Sequence, residues 1–209
     1  MTFVFIHASF GSPEEAWFPW LKKELEGLGH EVFAPRLPTD EWSKVTKLPV
    51  AEYRSSQNLT VWTESFEKLL PKIQNHKELC FVGHSLGPMF ILFMVEKCGL
   101  YAKNAYFIAP FFHPATEEEL KDKSAALIHK ANITFYYHDF DFARLRSLIP
   151  QSTVIYSDDD PNVHEWEALE FAEKLGSKTI KLTGLGHMGI ESHLFKFPQL
   201  LNAIKRDNP

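Results

Sequence analysis

Ser85 is the residue of this chain whose setting most clearly suits covalent chemistry. It stands in Gly83-His84-Ser85-Leu86-Gly87, a G-x-S-x-G pentapeptide between the apolar run Leu79–Val82 and the apolar stretch Pro88–Val95. That order predicts a strand, a tight turn and a helix. A turn this sharp strains the serine backbone, which is tolerated only where the surroundings impose it. Gly83 and Gly87 carry no Cβ, so strand and helix can approach closely on either side. The hydroxyl is then presented above the sheet as a nucleophile. The Leu86 amide, at the helix N-terminus, is free to bind an oxyanion. The plainer alternative is a Gly-rich turn whose serine only caps the helix.

A serine hydroxyl is a poor nucleophile at neutral pH and needs a base, and the base needs a third group to hold its tautomer. The chain offers both downstream. His187 follows the last β-prone segment in a Gly-rich loop, Gly184-Leu185-Gly186-His187, and is the expected base, with His193 in reserve. His113, His129, His138 and His164 lie in segments where no base is needed. The acid comes from Asp158-Asp159-Asp160, ahead of Pro161. Asp160 could instead cap the helix that follows. A second oxyanion donor is expected in Ile6-His7-Ala8-Ser9-Phe10-Gly11, where the Ser9 amide is best placed.

These residues need a scaffold, and the pattern supplies one. Phe3–Ile6, Glu31–Ala34, Leu79–Val82, Asn104–Ala109, Thr153–Tyr156 and Lys178–Leu182 read as six strands, several of them continuous apolar runs of the kind buried on both faces. Helices are expected between them. One starts at Pro13 and buries Trp17, Trp20, Leu21, Leu25 and Leu28. One carries Trp62, Phe66, Leu69, Leu70 and Ile73. Another holds Trp166, Leu169 and Ala172, and the last opens at Pro198. Strand–helix–strand alternation implies a doubly wound, mostly parallel sheet, with ligands at the carboxyl ends of its strands. Residues 36 to 59 form a long polar connection, of the kind that is functional or mobile. Phe111–Pro150 breaks the rhythm, with a helix expected over Glu117–Ala131. It reads either as a small cap or lip over the site or as a crossover helix with decorated loops.

The 209 residues suit a single domain with a sizeable core, and 44% apolar and 14% aromatic content mark it as globular. The net charge of -5 and the absence of a basic stripe argue against nucleic-acid or anionic-membrane partners. No secretory leader or bilayer-spanning run is evident, so a cytoplasmic location is expected. Cys80 and Cys98 are expected to be thiols, although both fall near one end of the sheet and proximity is conceivable. The ten histidines show no spacing that reads as a zinc site.

Four stretches together carry a resemblance. They are Ile6-His7 with Gly11-Ser12-Pro13 and Trp17-Phe18-Pro19-Trp20-Leu21, Phe81-Val82-Gly83-His84-Ser85-Leu86-Gly87, Ser157-Asp158-Asp159-Asp160-Pro161, and Gly186-His187. The chain resembles the small α/β-hydrolases grouped with retinoblastoma-binding protein nine and the bacterial YdeN-type serine hydrolases. The resemblance implies a compact six-stranded α/β-hydrolase core of order 2-1-3-4-5-6. It also implies hydrolysis of an ester or amide without metal or cofactor, and Asp160, directly before the proline, as the acid. His7-Ala8 stands where many relatives have His-Gly. The eukaryotic member's pocket-protein binding does not carry over, because the chain contains no L-x-C-x-E.

The expected function is therefore a serine hydrolase acting through an acyl-enzyme on Ser85, with His187 as base, Asp160 as orienting acid, and the Leu86 and Ser9 amides as the oxyanion hole. Peptidase or aminopeptidase activity of the same chemistry is one alternative. A non-catalytic interaction module on a hydrolase scaffold is the other. His7, Phe10, Phe111, Phe112, Tyr136, Tyr137 and Phe140 are candidates for the substrate pocket, or else ordinary core. The expected partner is a small-molecule or peptide acyl compound, and the chain a monomer or weak homodimer.

Overall fold

The computed structural model describes residues 1–136 and 139–208. Six strands, β1 (Thr2–Ile6), β2 (Glu31–Phe33), β3 (Leu79–His84), β4 (Asn104–Ile108), β5 (Ser152–Ser157) and β6 (Lys178–Leu182), form one parallel sheet in the order β2-β1-β3-β4-β5-β6. Every residue of β1, β3 and β4 is buried, whereas β6 at the edge is largely exposed. Strands covered on both faces favour apolar side chains at successive positions, so the continuous runs Phe3–Ile6, Leu79–Val82 and Ala105–Ile108 mark the centre of the sheet.

The period of two sends alternate side chains to two cores. Val4, Ile6 and Phe81 face one layer, built with α3 (Leu59–Glu67), α5 (Leu86–Cys98), α7 (Phe142–Leu148) and α8 (Glu165–Leu175). Phe3, Phe5, Cys80 and Val82 face the other, built with α1 (Phe18–Gly27) and α9 (Pro198–Asp207). The chain leaves β1 for β2 on one side, and β3 returns to β1's other flank. The crevice between the carboxyl ends of β1 and β3 is therefore the topological switch point, where open parallel sheets place ligands.

Several local expectations are revised. Helix α1 begins at Phe18 rather than Pro13, because Ala16 adopts a left-handed conformation (φ 49°) that ends the preceding turns. Trp17, Phe18, Leu21 and Leu25 are buried, but Leu28 is exposed and Trp20 only half-buried. The helix expected around Trp62–Ile73 is split into α3 and α4 (Leu70–Ile73), because Pro71 removes a backbone donor and crowds the preceding turn. The connection over residues 36 to 59 holds α2 (Trp42–Val45) and buries Leu37, Val45, Tyr53 and Gln57. The two cysteines pack against opposite cores, Cys80 on the α1/α9 side and Cys98 on the α3/α5 side, and both are thiols.

After β4, a short 3-10 turn (Glu119–Lys121) precedes α6 (Lys123–Asn132), which starts at Lys123 because Asp122 caps the Ala125 amide at 2.9 Å. Leu127 and Ala131 of α6 form a small separate core with Val45 and Tyr53. Helix α7, by contrast, packs Leu145 into the main core and leads directly into β5. Among the described residues, no helix is long and apolar enough to cross a membrane.

Candidate active site

Ser85 follows the last residue of β3 and has φ 58° and ψ -106°, a strained conformation for a residue with a side chain. Its amide donates to the Ile108 carbonyl at 2.8 Å, tying the turn to β4. A Cβ at Gly87 would run into the Ile6 carbonyl oxygen, and one at Gly83 would meet Ile91 Cδ1 at 2.6 Å and the Pro88 nitrogen at 2.8 Å. Both glycines are thus required by close approach. Leu86 is the first residue of α5, whose first amides have no partner within the helix.

The loops after β5 and β6 bring the other groups to Ser85. His187 Nε2 lies 3.0 Å from Ser85 Oγ, and His187 Nδ1 lies 2.9 Å from Asp160 Oδ2 and 3.0 Å from Oδ1. A carboxylate only accepts, so the proton of the neutral imidazole sits on Nδ1 and the Nε2 lone pair faces the serine hydroxyl. The Asp160 side chain is only 2% exposed and that of His187 10%, so solvent screens this pair little.

Each of the three consecutive aspartates has its own partner. Asp158 Oδ1 accepts from the Gly184 amide at 3.3 Å. Asp159 Oδ1 accepts from the Gly186 amide at 2.9 Å and from Ser157 Oγ at 2.6 Å. Asp160 Oδ1 also accepts from the Asn162 and Val163 amides at 2.8 and 3.0 Å. Asp160 does not cap a helix: α8 starts at Glu165, where Glu167 accepts from the His164 amide at 2.9 Å.

Two further side chains hold the His187 loop. His84 Nε2 donates to the His187 carbonyl at 2.7 Å, and Trp17 Nε1 donates to the Met188 carbonyl at 2.8 Å. Burial, with His187 nearby, pushes the His84 pKa down to about 3, so its ring stays neutral. Neither role was legible in the sequence. His84 read as the variable residue of the pentapeptide, and Trp17 as one more apolar position on a helix face.

On the other side of Ser85, the Gly11 amide donates to the Ala8 carbonyl at 3.2 Å, closing a turn over Ala8–Gly11 with Phe10 at φ 56°. Turns with a left-handed third residue ordinarily place Gly or Asn there, and a bulky residue in that region stores about 1–3 kcal/mol of strain. Ser9 lies within this turn. His7 lines the cleft floor but is fixed by its own bonds: Nδ1 donates to the Ala8 carbonyl at 2.9 Å, and Nε2 accepts from the Leu37 amide at 3.1 Å. Burial lowers its pKa, which suits that neutral form.

Above Ser85 opens a cleft of about 640 Å³. Phe10, Trp42, Phe111, Ile128, Val163 and Ile190 supply much of its apolar wall, and Tyr136 also lines it. Phe112 and Phe140 lie elsewhere. Phe112 stacks on Phe171 of α8 at 4.4 Å, and Phe140 packs beside Phe112 and Phe142, so both extend the core. Beyond β4 the backbone turns at Ala109 (φ 47°), and Phe111 lines the cleft while Phe112 does not. Tyr137 lies outside the described residues, as does His138. His113 pairs with Glu170, His164 pairs with Glu119, and His129 stacks on Tyr136. His193 is exposed beside Phe195. Among the described residues, no group of three or more His, Cys, Asp and Glu is arranged to hold a metal.

Comparison with known proteins agrees with this architecture. The structure is similar to that of the ydeN gene product of B. subtilis, with a TM-score of 0.77 at 19% identity over 99% of this chain and 97% of that one. It is also similar to a carboxylesterase structure from the thaumarchaeon Nitrososphaera gargenis, with a TM-score of 0.66 at 14% identity over 98% of this chain and 88% of that one. In sequence, 120 residues are 32% identical to Methylesterase 1 of Arabidopsis thaliana, a match spanning 55% of this chain and 41% of that protein. The family model described as serine hydrolase matches residues 3–206, nearly the full length. With a six-stranded parallel sheet of order 2-1-3-4-5-6 and an α/β-hydrolase architecture over its whole length, the chain belongs to the serine hydrolase family.

Proposed function

We propose that this hydrolase cleaves carboxylic esters through an acyl-enzyme on Ser85. The observation that carries the reading is the continuous hydrogen-bonded series Ser85 Oγ, His187 Nε2, His187 Nδ1 and Asp160, with the acid and base largely shielded from water. Ser85 Oγ attacks the ester carbonyl while its proton passes to His187 Nε2. The Leu86 and Ser9 amides bind the oxygen that becomes negative, a contribution of roughly 3–4 kcal/mol for each well-aimed donor. The tetrahedral intermediate collapses, the C–O bond to the alcohol breaks, and the alcohol leaves with the proton from Nε2. Water then repeats the sequence, releasing the acid and restoring Ser85. Asp160 holds the imidazole in register and offsets its positive charge in both halves.

The apolar wall favours an uncharged acyl group, and Phe111, Ile128 and Tyr136 of the segment after β4 supply part of that wall. The methylesterase and carboxylesterase names of similar proteins point the same way. An aminopeptidase is the second reading, because Glu15, Glu119, Glu167 and Glu191 also line the cleft and could anchor an amine. Glu119 is already held by Thr116 and His164, and Glu167 by the His164 amide, which leaves the ester reading ahead.

Covalent labelling with a fluorophosphonate, read by intact mass and peptide mapping, is the test. One adduct on Ser85, absent in His187→Ala, is expected, together with turnover of p-nitrophenyl esters well above that of amino-acid p-nitroanilides. Folded protein that takes no label, or faster anilide turnover, would overturn the esterase reading.

A further inference from the structure

Beside the Ala8–Gly11 turn, reaching the cleft wall at Asn132, lies a buried amide relay with no part in the proton transfers proposed above. The Phe10 amide donates to Gln57 Oε1 at 3.2 Å, Gln57 Nε2 donates to Asn132 Oδ1 at 2.8 Å, and Ser9 Oγ donates to the same Asn132 oxygen at 2.6 Å. A backbone N–H can only donate, so Gln57 must present its oxygen to Phe10 and its amino group to Asn132. Asn132 must then present its oxygen to both Gln57 and Ser9. The orientation of every group follows from one fixed donor. Gln57 and Asn132 are each only 1% exposed, and the Asn132 amide also bonds the Tyr136 hydroxyl in the cleft wall.

Phe10 holds a left-handed backbone that its side chain disfavours, so the turn needs outside support. The relay supplies it at two adjacent residues of the segment that carries the Ser9 amide. We infer that Asn132 is a positioning residue for the oxyanion hole: accepting from Ser9 Oγ and Gln57 Nε2, it sets the Ala8–Gly11 turn so that the Ser9 N–H faces the space above Ser85. The inference rests on the acyl-enzyme reading above. It adds that the last residue of α6, an element outside the central sheet, governs the transition state rather than substrate capture.

The test compares wild type, Asn132→Ala, Asn132→Asp and Ser9→Ala by steady-state ester hydrolysis and by affinity for an alkyl trifluoromethyl ketone. That ketone adds to the nucleophilic serine and mimics the tetrahedral oxyanion. Asn132→Ala is expected to lower kcat by about 10- to 100-fold, the cost of displacing a reacting group by about 1 Å, with KM changed less than about threefold. Ketone affinity should fall by a similar factor. Asn132→Asp keeps the accepting oxygen and should recover most of both losses. Ser9→Ala keeps the backbone amide but loses the tether, and should show the same pattern more weakly. Wild-type kcat and ketone affinity in Asn132→Ala, or an Asn132→Asp variant no better than Asn132→Ala, would overturn the inference. If Asn132→Ala does not fold, Ser9→Ala with unchanged kcat and ketone affinity would do so. A wild-type protein that takes no fluorophosphonate at Ser85 would instead sink the acyl-enzyme reading itself.

Discussion

Replacing Asp160 with asparagine separates tautomer control from fold. The carboxylate makes four contacts: the Asn162 and Val163 amides on Oδ1, and His187 Nδ1 shared between its two oxygens. An asparagine can keep its oxygen toward the two backbone amides, which are donors only. Its amino group then faces His187 Nδ1 and forces that nitrogen to accept. The imidazole proton moves to Nε2, where it points at Ser85 Oγ and blocks uptake of the serine proton. A neutral histidine in the wrong tautomer costs about 10⁴-fold in kcat, roughly 5 kcal/mol of activation free energy. Stability should change by no more than about 2 kcal/mol, because one charge-assisted hydrogen bond is lost while the backbone bonds persist. Asp158→Asn and Asp159→Asn are the controls. Each keeps an oxygen for its glycine amide, and each should lose less than about tenfold in rate if it only shapes the loop. The assay is p-nitrophenyl butyrate turnover normalised by fluorophosphonate titration, with urea unfolding as the fold check. A folded Asp160→Asn within tenfold of wild type, beside a collapse in either control, would refute the reasoning and move the acid.

The pH dependence of stability should carry the signature of His84. Its folded pKa of about 3 lies below the ordinary 6.5, so the unfolded chain binds the proton first and the stability it supports is complete above pH 6.5 and drains as pH falls toward 3. That group alone contributes a slope of about 1.4 kcal/mol per pH unit, which urea unfolding between pH 7 and 4.5 should detect and His84→Gln should flatten; equal slopes in both proteins would contradict it. Gly87→Ala should be strongly destabilised, by about 3 kcal/mol or more, because its methyl meets the backbone of β1 rather than a yielding side chain. A Gly87→Ala protein with an unchanged melting temperature would mean that strand and helix approach less closely than described.

The sheet was legible because burial on both faces writes itself as unbroken apolar runs, as in Phe3–Ile6 and Leu79–Val82. That Ser85, His187 and Asp160 come together was legible because the fold gathers the loops after β3, β5 and β6 at one end of the sheet. What escaped depends on contacts between distant segments. The late start of α1 turns on the left-handed backbone at Ala16, which no local propensity favours. The pairing of Gln57 with Asn132 joins residues 75 positions apart, and polar residues in an irregular connection and near a helix end carry no mark of burial. Phe111 and Phe112 look alike in sequence, yet one faces the cleft and the other stacks on α8. The direction in which the chain leaves β4 decides between them.

The opposite placement of the two thiols gives the protein an internal gauge of its own breathing. Cys80 sits in the middle of the sheet, fully buried, with burial holding its thiol well above the ordinary range. Cys98, at the end of α5, is partly accessible. A small alkylating reagent reaches Cys98 in the native state, but it reaches Cys80 only when the layer of α1 and α9 lifts from the sheet or the fold opens. The ratio of the two alkylation rates, corrected for thiol reactivity, therefore reads the free energy of uncovering that face under native conditions, without denaturant. With the sheet between them, no internal disulfide competes with either reaction.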